Sequence, residues 1–244
     1  MAFLPTDIAL VQGGAAERRR WLDRMLSLAD PHYLSGLLRY RAALAQRNAA
    51  LRAGDAVAAG AFEGALASCG AAVTERRIAW AGGAIEPWAG ELEALGERAT
   101  VALRYRGDAD LVEPSAWLLK LDASRRRDLA RGQTHVGPHR DDVTLSLGGR
   151  ALRDYGSTGQ QRSAAIALRL LERETIATAR AVHPALLVDD VFAALDGDRQ
   201  ARLAARLGTR PGQRFVTAPR AAELPRELDL PRWSVDDGAV TEER

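Results

Sequence analysis

Hydrophobic residues recur with the period of an α-helix over the first part of the chain. From Trp21 onward the apolar positions lie three or four residues apart, and Pro31 ends this first helix. The same pattern predicts a second helix up to about residue 54, a third over 55–80 and a short fourth over 87–95. These alanine-rich, charged segments indicate a helical arm or bundle.

Strands mixed with helices are expected after about residue 98. Alternating or short apolar runs predict strands at 100–106, 142–147, 185–190 and 214–217. Helices are expected at 114–131, 159–180 and 197–207. The polar side of helix 159–180, opposite its apolar face, carries Arg162, Arg169, Arg173 and Arg180. The strand–helix–strand order predicts an α/β layer from about residue 110 onward.

The composition excludes several classes of protein. The chain has 244 residues, of which 47% are hydrophobic, enough for one large or two small domains. Its net charge is only +2, so it is not a polycation overall. The single cysteine, Cys69, excludes an intrachain disulfide and a cysteine-based metal cluster. Because there is no signal peptide and no run of about 18 apolar residues, we expect a cytoplasmic protein with no membrane partner.

Two adjacent carboxylates, Asp189 and Asp190, end the apolar run 185–188. Consecutive strand residues point to opposite faces, so one carboxylate can bind Mg²⁺ while the other faces a water. Many nucleoside triphosphatases hold Mg²⁺ and position the attacking water with residues of this kind. The alternative is an ordinary exit from a strand, since aspartate favours turns. Asp196, just downstream, precedes helix 197–207 and can serve as its N-cap.

A second candidate site opens the long helix with Ser157, Thr158, Gly159 and Gln160. The free N–H groups and the dipole at a helix N-terminus attract anions. The hydroxyl of Ser157 adds a donor, and Gly159 lets a phosphate approach closely. The alternative is a plain serine or threonine cap. Together with the Asp189–Asp190 pair, this turn predicts an ATPase head that works as a dimer, with one subunit contacting nucleotide held by the other.

Two arginine runs are candidates for contacts with the phosphates of duplex DNA. They are Arg18, Arg19 and Arg20, and Arg125, Arg126 and Arg127. The alternative is a solvated helix face, because acidic residues lie beside both runs. No aromatic residues interleave with the arginines to stack single-stranded bases. If DNA binds, we expect backbone contacts to duplex without sequence specificity.

His139 also has two interpretations. It is either a ligand or base, or a loop residue that hydrogen-bonds locally. Its place between Pro138 and Arg140, in a turn before a strand, favours the loop residue. No second histidine or cysteine at metal spacing supports zinc.

Several of these stretches together resemble a known family. Residues 157–160 resemble the signature loop of ABC-type ATPases, 186–190 their Walker B strand and 193–196 their D-loop. Over almost the whole chain the sequence is similar to the RecF family of bacterial DNA replication and repair proteins, which is related to SMC heads. The stretches that carry this resemblance are 3–7, 18–23, 40–48, 137–142 and 155–162.

The resemblance implies a fold and a set of roles. The fold would be α/β, the C-terminal lobe of an ABC-type P-loop NTPase head with an inserted helical arm. Residues 1–16 would end lobe I, 17–110 would form the arm, and 111–244 would form lobe II. Asp189 would coordinate Mg²⁺, and Asp190 would polarise the attacking water. The ATP contacts would come from Ser157, Thr158, Gly159, Gln160 and Asp196, and from Thr217 at the position of the switch histidine.

The resemblance also implies a function. It implies an ATP-dependent homodimer on double-stranded DNA at gaps and single-strand/double-strand junctions. Such a protein would be a weak DNA-stimulated ATPase that helps to load recombinase with RecO-type and RecR-type partners, in replication, recombination and the SOS response. A generic ABC or SMC-like ATPase without a repair role is the alternative within this class of enzyme.

The sequence departs from the family in lacking a GxxxxGK[ST] phosphate loop. Its one lysine, Lys120, follows 117–119 without a glycine loop, so nothing in the 244 residues predicts a cradle for the α- and β-phosphates. Either the gene or its gene model is truncated, or the polypeptide is a non-hydrolysing scaffold that binds DNA or a partner. We expect that the chain alone neither binds nor hydrolyses ATP well.

Overall fold

The structure, a computed structural model, describes residues 1–209 and 211–243. Its helices are α1 (Ala9–Gln12), α2 (Ala15–Ala29), α3 (Pro31–Arg52), α4 (Ala56–Ala61), α5 (Glu63–Ala94), α6 (Pro114–Arg131), α7 (Leu152–Tyr155), α8 (Thr158–Arg180) and α9 (Gly197–Gly208). Its strands are β1 (Ala2–Phe3), β2 (Val101–Arg106), β3 (Asp142–Leu147), β4 (Arg150–Ala151), β5 (Leu186–Asp189), β6 (Arg214–Thr217), β7 (Arg232–Asp236) and β8 (Ala239–Glu243). The strands predicted from alternation and apolar runs are confirmed to within two residues at each end.

The strands form three sheets in the described part of the chain. The first is parallel, in the order β1-β5-β6, and places Leu187 between Ala2 and Phe215. The second is antiparallel, in the order β2-β3-β4, and the third is the hairpin β7-β8. Because β5 and β6 run parallel, their carboxyl ends lie side by side and bring Asp189 next to Thr217.

The two faces of the parallel sheet have different environments. Phe3 and Val188 are buried and pack near Ile166 of α8 and Leu203 of α9. On the opposite face, the exposed fractions of Leu187 and Phe215 are 40% and 52%. Parallel sheets are normally covered on both faces, so this apolar outer face is unusual within the described residues.

The helical part of the chain differs from the prediction in two respects, the first being that Phe62 separates α4 from α5 within the predicted third helix. Asp30 caps α3 by accepting from the N–H of His32, and Pro31 takes the first helical position, where proline is favoured. However, α5 is one helix of 32 residues that continues through Pro87, so the predicted break between residues 80 and 87 is wrong. Tertiary packing compensates for the lost backbone hydrogen bond, because Trp88 and Leu92 beyond the proline are buried.

One hydrophobic core joins the three predicted segments. Val11, Leu66 and Leu168 come from the three segments and belong to the same cluster of buried side chains. The division at residues 16 and 110 therefore stays a prediction. In the described residues, the helices are too short or too polar to serve as membrane spans.

Candidate functional site

The carboxyl ends of β5 and β6 form the first half of the candidate site. Asp189 and Thr217 are register partners, and the hydroxyl of Thr217 donates to Oδ1 of Asp189 at 2.6 Å. The threonine thereby fixes the orientation of the carboxylate while leaving Oδ2 without this contact. The sequence predicted Thr217 as a site residue from its position alone. It did not predict the hydrogen bond to Asp189.

Asp190 has an unusual backbone and an unpaired oxygen. Its φ angle is 52°, in the left-handed region, and its N–H donates to the carbonyl of Thr217 at 3.1 Å. Its Oδ1 is buried and has no hydrogen-bond partner in the structure. Buried carboxylate oxygens are ordinarily hydrogen-bonded. This oxygen therefore lacks a donor in the structure, and neighbouring atoms would have to move for a water to reach it.

The carboxyl ends of β5 and β6 offer few protein ligands for a metal ion. Among residues 1–209 and 211–243, no group of three or more His, Cys, Asp or Glu side chains could hold a metal ion. Mg²⁺ in nucleotide sites usually takes one or two carboxylates and completes its shell with phosphate oxygens and water. Asp189 and Asp190 fit that pattern. The described residues do not provide a site in which protein side chains alone hold the metal.

The turn at the start of α8 forms the second half of the candidate site. Ser157 caps the helix: its hydroxyl accepts from the N–H of Gln160 at 3.3 Å, while the Gln160 side chain accepts from the Ser157 N–H at 2.9 Å. This reciprocal capping box satisfies two N-terminal donors. Ser157 and Thr158 remain exposed, so the cap is present and the turn is also open to a ligand.

Asp196 begins α9 as its N-cap. Its carboxylate accepts from the N–H of Arg199 at 2.9 Å and pairs with the Arg199 guanidinium at 2.5 Å. The backbone N–H of Arg199, followed by its guanidinium, lowers the pKa of the Asp196 carboxyl. Asp196 therefore stays ionised at neutral pH.

Arg199 connects this cap to the turn that opens α8. A Cβ atom placed on Gly159 would lie 2.9 Å from Nη1 and 3.4 Å from Cζ of Arg199. The guanidinium thus lies against Gly159 and against Asp196 at once. Sequence reasoning missed Arg199, although its position three residues after an N-cap aspartate is a usable signal.

The two halves are not joined directly. In the described part of the chain, no hydrogen bond or ion pair links Asp189 or Asp190 to Ser157. A cavity of about 70 Å³ is lined by residues that include Leu4, Ile166 and Val191, and by none of these three site residues. Ligand pockets usually measure several hundred cubic ångströms, so this cavity is too small for a nucleotide.

The first arginine run requires a correction. Arg18 is buried: its guanidinium pairs with Asp142 through two bonds of 2.8 Å and also donates to the carbonyl of Gly13. It is therefore not available to DNA in this structure. Arg19 donates to the carbonyl of Asp141 at 2.6 Å, and the exposed Arg20 pairs with Glu17.

The second arginine run is more exposed. Arg125 pairs with Glu63 at 3.0 Å and with Asp122 at 3.5 Å. Arg126 and Arg127 are both exposed. Within this run, Arg126 and Arg127 remain the better candidates for phosphate contacts.

The polar side predicted for α8 is partly wrong as well. Arg169 and Arg173 are buried, because each finds partners inside the protein. Arg169 pairs with Asp7 and, at 2.6 Å, with Glu172. Arg173 donates to the carbonyl of Pro184 at 3.4 Å.

His139 makes one local hydrogen bond, as expected, and one to a residue 99 positions away in sequence. Its Nδ1 accepts from the hydroxyl of Tyr40 at 2.6 Å, and its Nε2 donates to the carbonyl of Thr134 at 3.0 Å. Burial lowers the pKa of the imidazole. The ring is therefore neutral and structural rather than a free base.

Comparison with solved structures identifies the class of fold. The Smc head domain of Pyrococcus furiosus, solved with an extended coiled coil and bound to the C-terminal domain of ScpA, aligns with 99% of this chain and 61% of its own chain at a TM-score of 0.56. At 12% identity this likeness shows the fold alone. The architecture is that of an ABC-type ATPase lobe, and the predicted fold class is confirmed.

More similar relatives define the family, and the chain belongs to the RecF family of DNA replication and repair proteins. RecF of Frankia alni is 39% identical over 98% of this chain and 68% of the relative, and RecF of Chloroflexus aurantiacus is 37% identical over 98% and 66%. The recombination mediator protein RecF-ATPrS of the RecFOR pathway has 27% identity and a TM-score of 0.84 over 99% of this chain and 67% of its own. No family model matches the chain. The chain spans about two thirds of the length of these relatives.

Proposed function

We propose that this chain supplies part of a nucleotide site shared between two RecF-type heads, and that ATP controls their dimerisation on double-stranded DNA. The preferred DNA would be gaps and single-strand/double-strand junctions, where the dimer would help to load recombinase. The chain would provide the metal and water ligands for one nucleotide and the signature turn for another. ATP would act by selecting the closed dimer.

The observation that carries this proposal is the state of Asp190. A left-handed backbone costs residues other than glycine up to roughly 1–2 kcal/mol, and less for asparagine and aspartate. A buried oxygen without a hydrogen bond adds a further penalty. Such strain is concentrated at functional sites. A water bound to Oδ1 would remove the second penalty. That arrangement is what a carboxylate needs in order to orient and polarise an attacking water.

The neighbouring residues support the same chemistry. Asp189, oriented by Thr217, would be the protein ligand of Mg²⁺, whose charge would offset that of the phosphates. The N-terminus of α8 and the hydroxyl of Ser157 would face the γ-phosphate of nucleotide in the other subunit. Thr158, Gly159 and Gln160 belong to the same turn. Asp196 would order the contact between the two heads.

The likeness to solved RecF structures supports ATP as the nucleotide. One matching structure is RecF-ATP in the RecFOR pathway, aligned over 100% of this chain at 25% identity. The pathway named there supports RecO-type and RecR-type partners for this chain. The exposed Arg126 and Arg127 would contact DNA phosphates. Such contacts do not distinguish one base sequence from another.

The test uses a second head that is able to bind ATP. Full-length RecF of Frankia alni would be mixed with this chain, and sedimentation velocity would measure their association with and without ATP. We expect an ATP-dependent complex that Ser157→Arg abolishes, because the larger cation fills the turn. Ser35→Arg, on an exposed position of α3, is the matched control. Association that is insensitive to ATP, or that survives Ser157→Arg, would contradict the proposal.

A second candidate function is a non-hydrolysing scaffold that binds DNA or a partner. It would apply to a polypeptide without a GxxxxGK[ST] phosphate loop, a motif that these 244 residues do not contain. Salt-sensitive binding to gapped duplex that is the same with and without ATP would support it. The same DNA titration, made with the mixed heads, separates the two functions.

A further inference from the structure

We propose that Arg199 is a positioning residue that holds the signature turn, residues 157–160, and the Asp196 cap in one fixed arrangement facing the terminal phosphate of a nucleoside triphosphate on a second head. This inference rests on the proposed function for the identity of the ligand. The arrangement itself rests on contacts within this chain. It assigns a role to a residue that sequence reasoning missed.

The first observation is the position of the guanidinium. Nη1 of Arg199 lies 2.5 Å from Oδ2 of Asp196, while the Arg199 backbone N–H donates to Oδ1 of the same carboxylate at 2.9 Å. The Arg199 side chain is only 24% exposed. The Asp196 carboxylate therefore contacts both the backbone N–H and the guanidinium of Arg199. The Arg199 side chain does not extend into solvent.

The second observation explains why residue 159 is glycine. Gly159 lies in the first turn of α8, where alanine would be favoured on helix propensity alone. Its φ angle is not in the left-handed region, so the backbone conformation does not require glycine. A Cβ atom there would lie 2.9 Å from Nη1 of Arg199. Any side chain at residue 159 would therefore displace the guanidinium from this position, whether or not a phosphate also approaches.

The third observation is electrostatic. A cation beside the N-terminus of a helix meets the positive end of the helix dipole, which is unfavourable. Arg199 is in this position relative to α8, and its side-chain ion pair with Asp196 is made through Nη1. An anion at the turn would be attracted by the helix N-terminus and by the guanidinium together. The terminal phosphate of a nucleotide has the required charge and acceptor oxygens.

The experiment is a double-mutant cycle with Arg199→Ala and Gly159→Ala. The methyl group of Gly159→Ala would displace the Arg199 guanidinium. The displacement costs little free energy because it moves only the end of a flexible side chain. We expect each variant to weaken the ATP-dependent association with Frankia alni RecF about tenfold, and the double variant to be no weaker than either. Arg202→Ala, an exposed position on the same helix, is the matched control and leaves the association unchanged.

Additive effects would overturn the proposal, because they would mean that Gly159 acts independently of Arg199. An unchanged association in Arg199→Ala would overturn it as well. Arg199→Lys keeps the charge but loses the planar fork, so we expect it to restore only part of the binding. Circular dichroism and thermal unfolding show that each variant is folded before it is compared.

A measurement without nucleotide separates this inference from the proposed function. NMR titration of the Asp196 side-chain carboxyl reports its pKa, which the guanidinium helps to lower. Gly159→Ala should raise that pKa, since the backbone N–H of Arg199 stays in place while the guanidinium moves away. An unchanged titration would overturn the contact between Gly159 and Arg199. If the titration shifts but the unsubstituted chain shows no ATP-dependent association, the contact stands, and the proposed function and the nucleotide role of Arg199 both fail.

Discussion

Arg18 and Asp142 form a two-bond ion pair that fastens α2 to β3. Nε of Arg18 lies 2.8 Å from Oδ1 and Nη2 lies 2.8 Å from Oδ2 of Asp142. The two residues are 124 positions apart in sequence. Arg18, a candidate for DNA contact in the sequence, is therefore a buried structural residue.

Replacement of Arg18 should therefore destabilise the fold. In Arg18→Ala the carboxylate of Asp142 loses both charged hydrogen bonds, so we expect the free energy of unfolding to fall by about 2 kcal/mol. Urea denaturation followed by circular dichroism measures the change. Arg126→Ala is the control, because its side chain is exposed and the expected change is below about 0.5 kcal/mol. Equal stability in the two variants would contradict the structural role.

Arg126 and Arg127 should show the opposite behaviour. If they contact DNA phosphates, the double variant Arg126→Ala/Arg127→Ala should bind duplex more weakly, and the slope of log K against log salt should fall by about two. Fluorescence anisotropy at several salt concentrations measures this slope. Arg39→Ala, exposed on α3, controls for the loss of a surface charge. A slope that does not change would exclude these two residues from the DNA contact.

Arg47 should be among the residues most important for stability. It is fully buried, and its guanidinium bonds to Asp128 at 2.9 Å, to Glu63 at 3.1 Å and to the hydroxyl of Thr134 at 2.7 Å. Removing one partner of a buried ion pair leaves uncompensated charge, so Arg47→Ala should cost about 3–5 kcal/mol. Thermal and urea unfolding measure it, with Arg39→Ala on the same helix as control. A loss below about 1 kcal/mol would show that the network contributes little.

The strands β2, β3, β5 and β6 were predictable because their signals are local, whereas β4, β7 and β8 were not predicted. The alternation in β2 and the apolar run in β5 can be read from a few consecutive residues, and so can the capping box at Ser157. The Asp189–Asp190 pair is visible for the same reason. The conformation of Asp190 is not, because it depends on the pairing of β5 with β6.

The buried arginines could not be predicted because their partners are distant in sequence. Arg47 and Asp128 are 81 residues apart, and Arg169 and Asp7 are 162 apart. A periodicity argument assigns such arginines to the solvent, since it includes no ion-pair partner. The helix break predicted at Pro87 is wrong for a related reason. The helix continues because Trp88 packs in the core, and local sequence rules do not include such packing.

Gly70 should tolerate no side chain. A Cβ atom at this position in α5 would lie 2.3 Å from Cζ2 of Trp117, whose ring is buried and anchored by a 2.8 Å hydrogen bond to the carbonyl of Leu111. Gly70→Ala should therefore destabilise by about 1–3 kcal/mol, although alanine is the better helix former. Gly82→Ala in the same helix meets no atom within 4 Å and should stabilise by up to about 1 kcal/mol. Opposite signs in urea denaturation confirm the prediction, and stabilisation by both would contradict it.

His139 should make the stability of the fold depend on pH. Burial lowers the pKa of its imidazole below the usual value of about 6.5. The unfolded chain therefore binds a proton more readily than the folded chain, so stability is lost as pH falls from about 6.5 through the lower folded pKa. In His139→Gln this part of the loss should disappear, because an amide can accept from Tyr40 without titrating.

Urea denaturation from pH 7.5 to pH 5 measures the effect as the difference between the unsubstituted chain and the variant. Asp141, whose pKa is raised by burial, contributes with the opposite sign, but it is present in both proteins and cancels in the difference. His32→Gln is the control, since His32 is exposed at the start of α3. If His139→Gln and His32→Gln lose stability with the same pH dependence, the neutral, hydrogen-bonded state of His139 is contradicted.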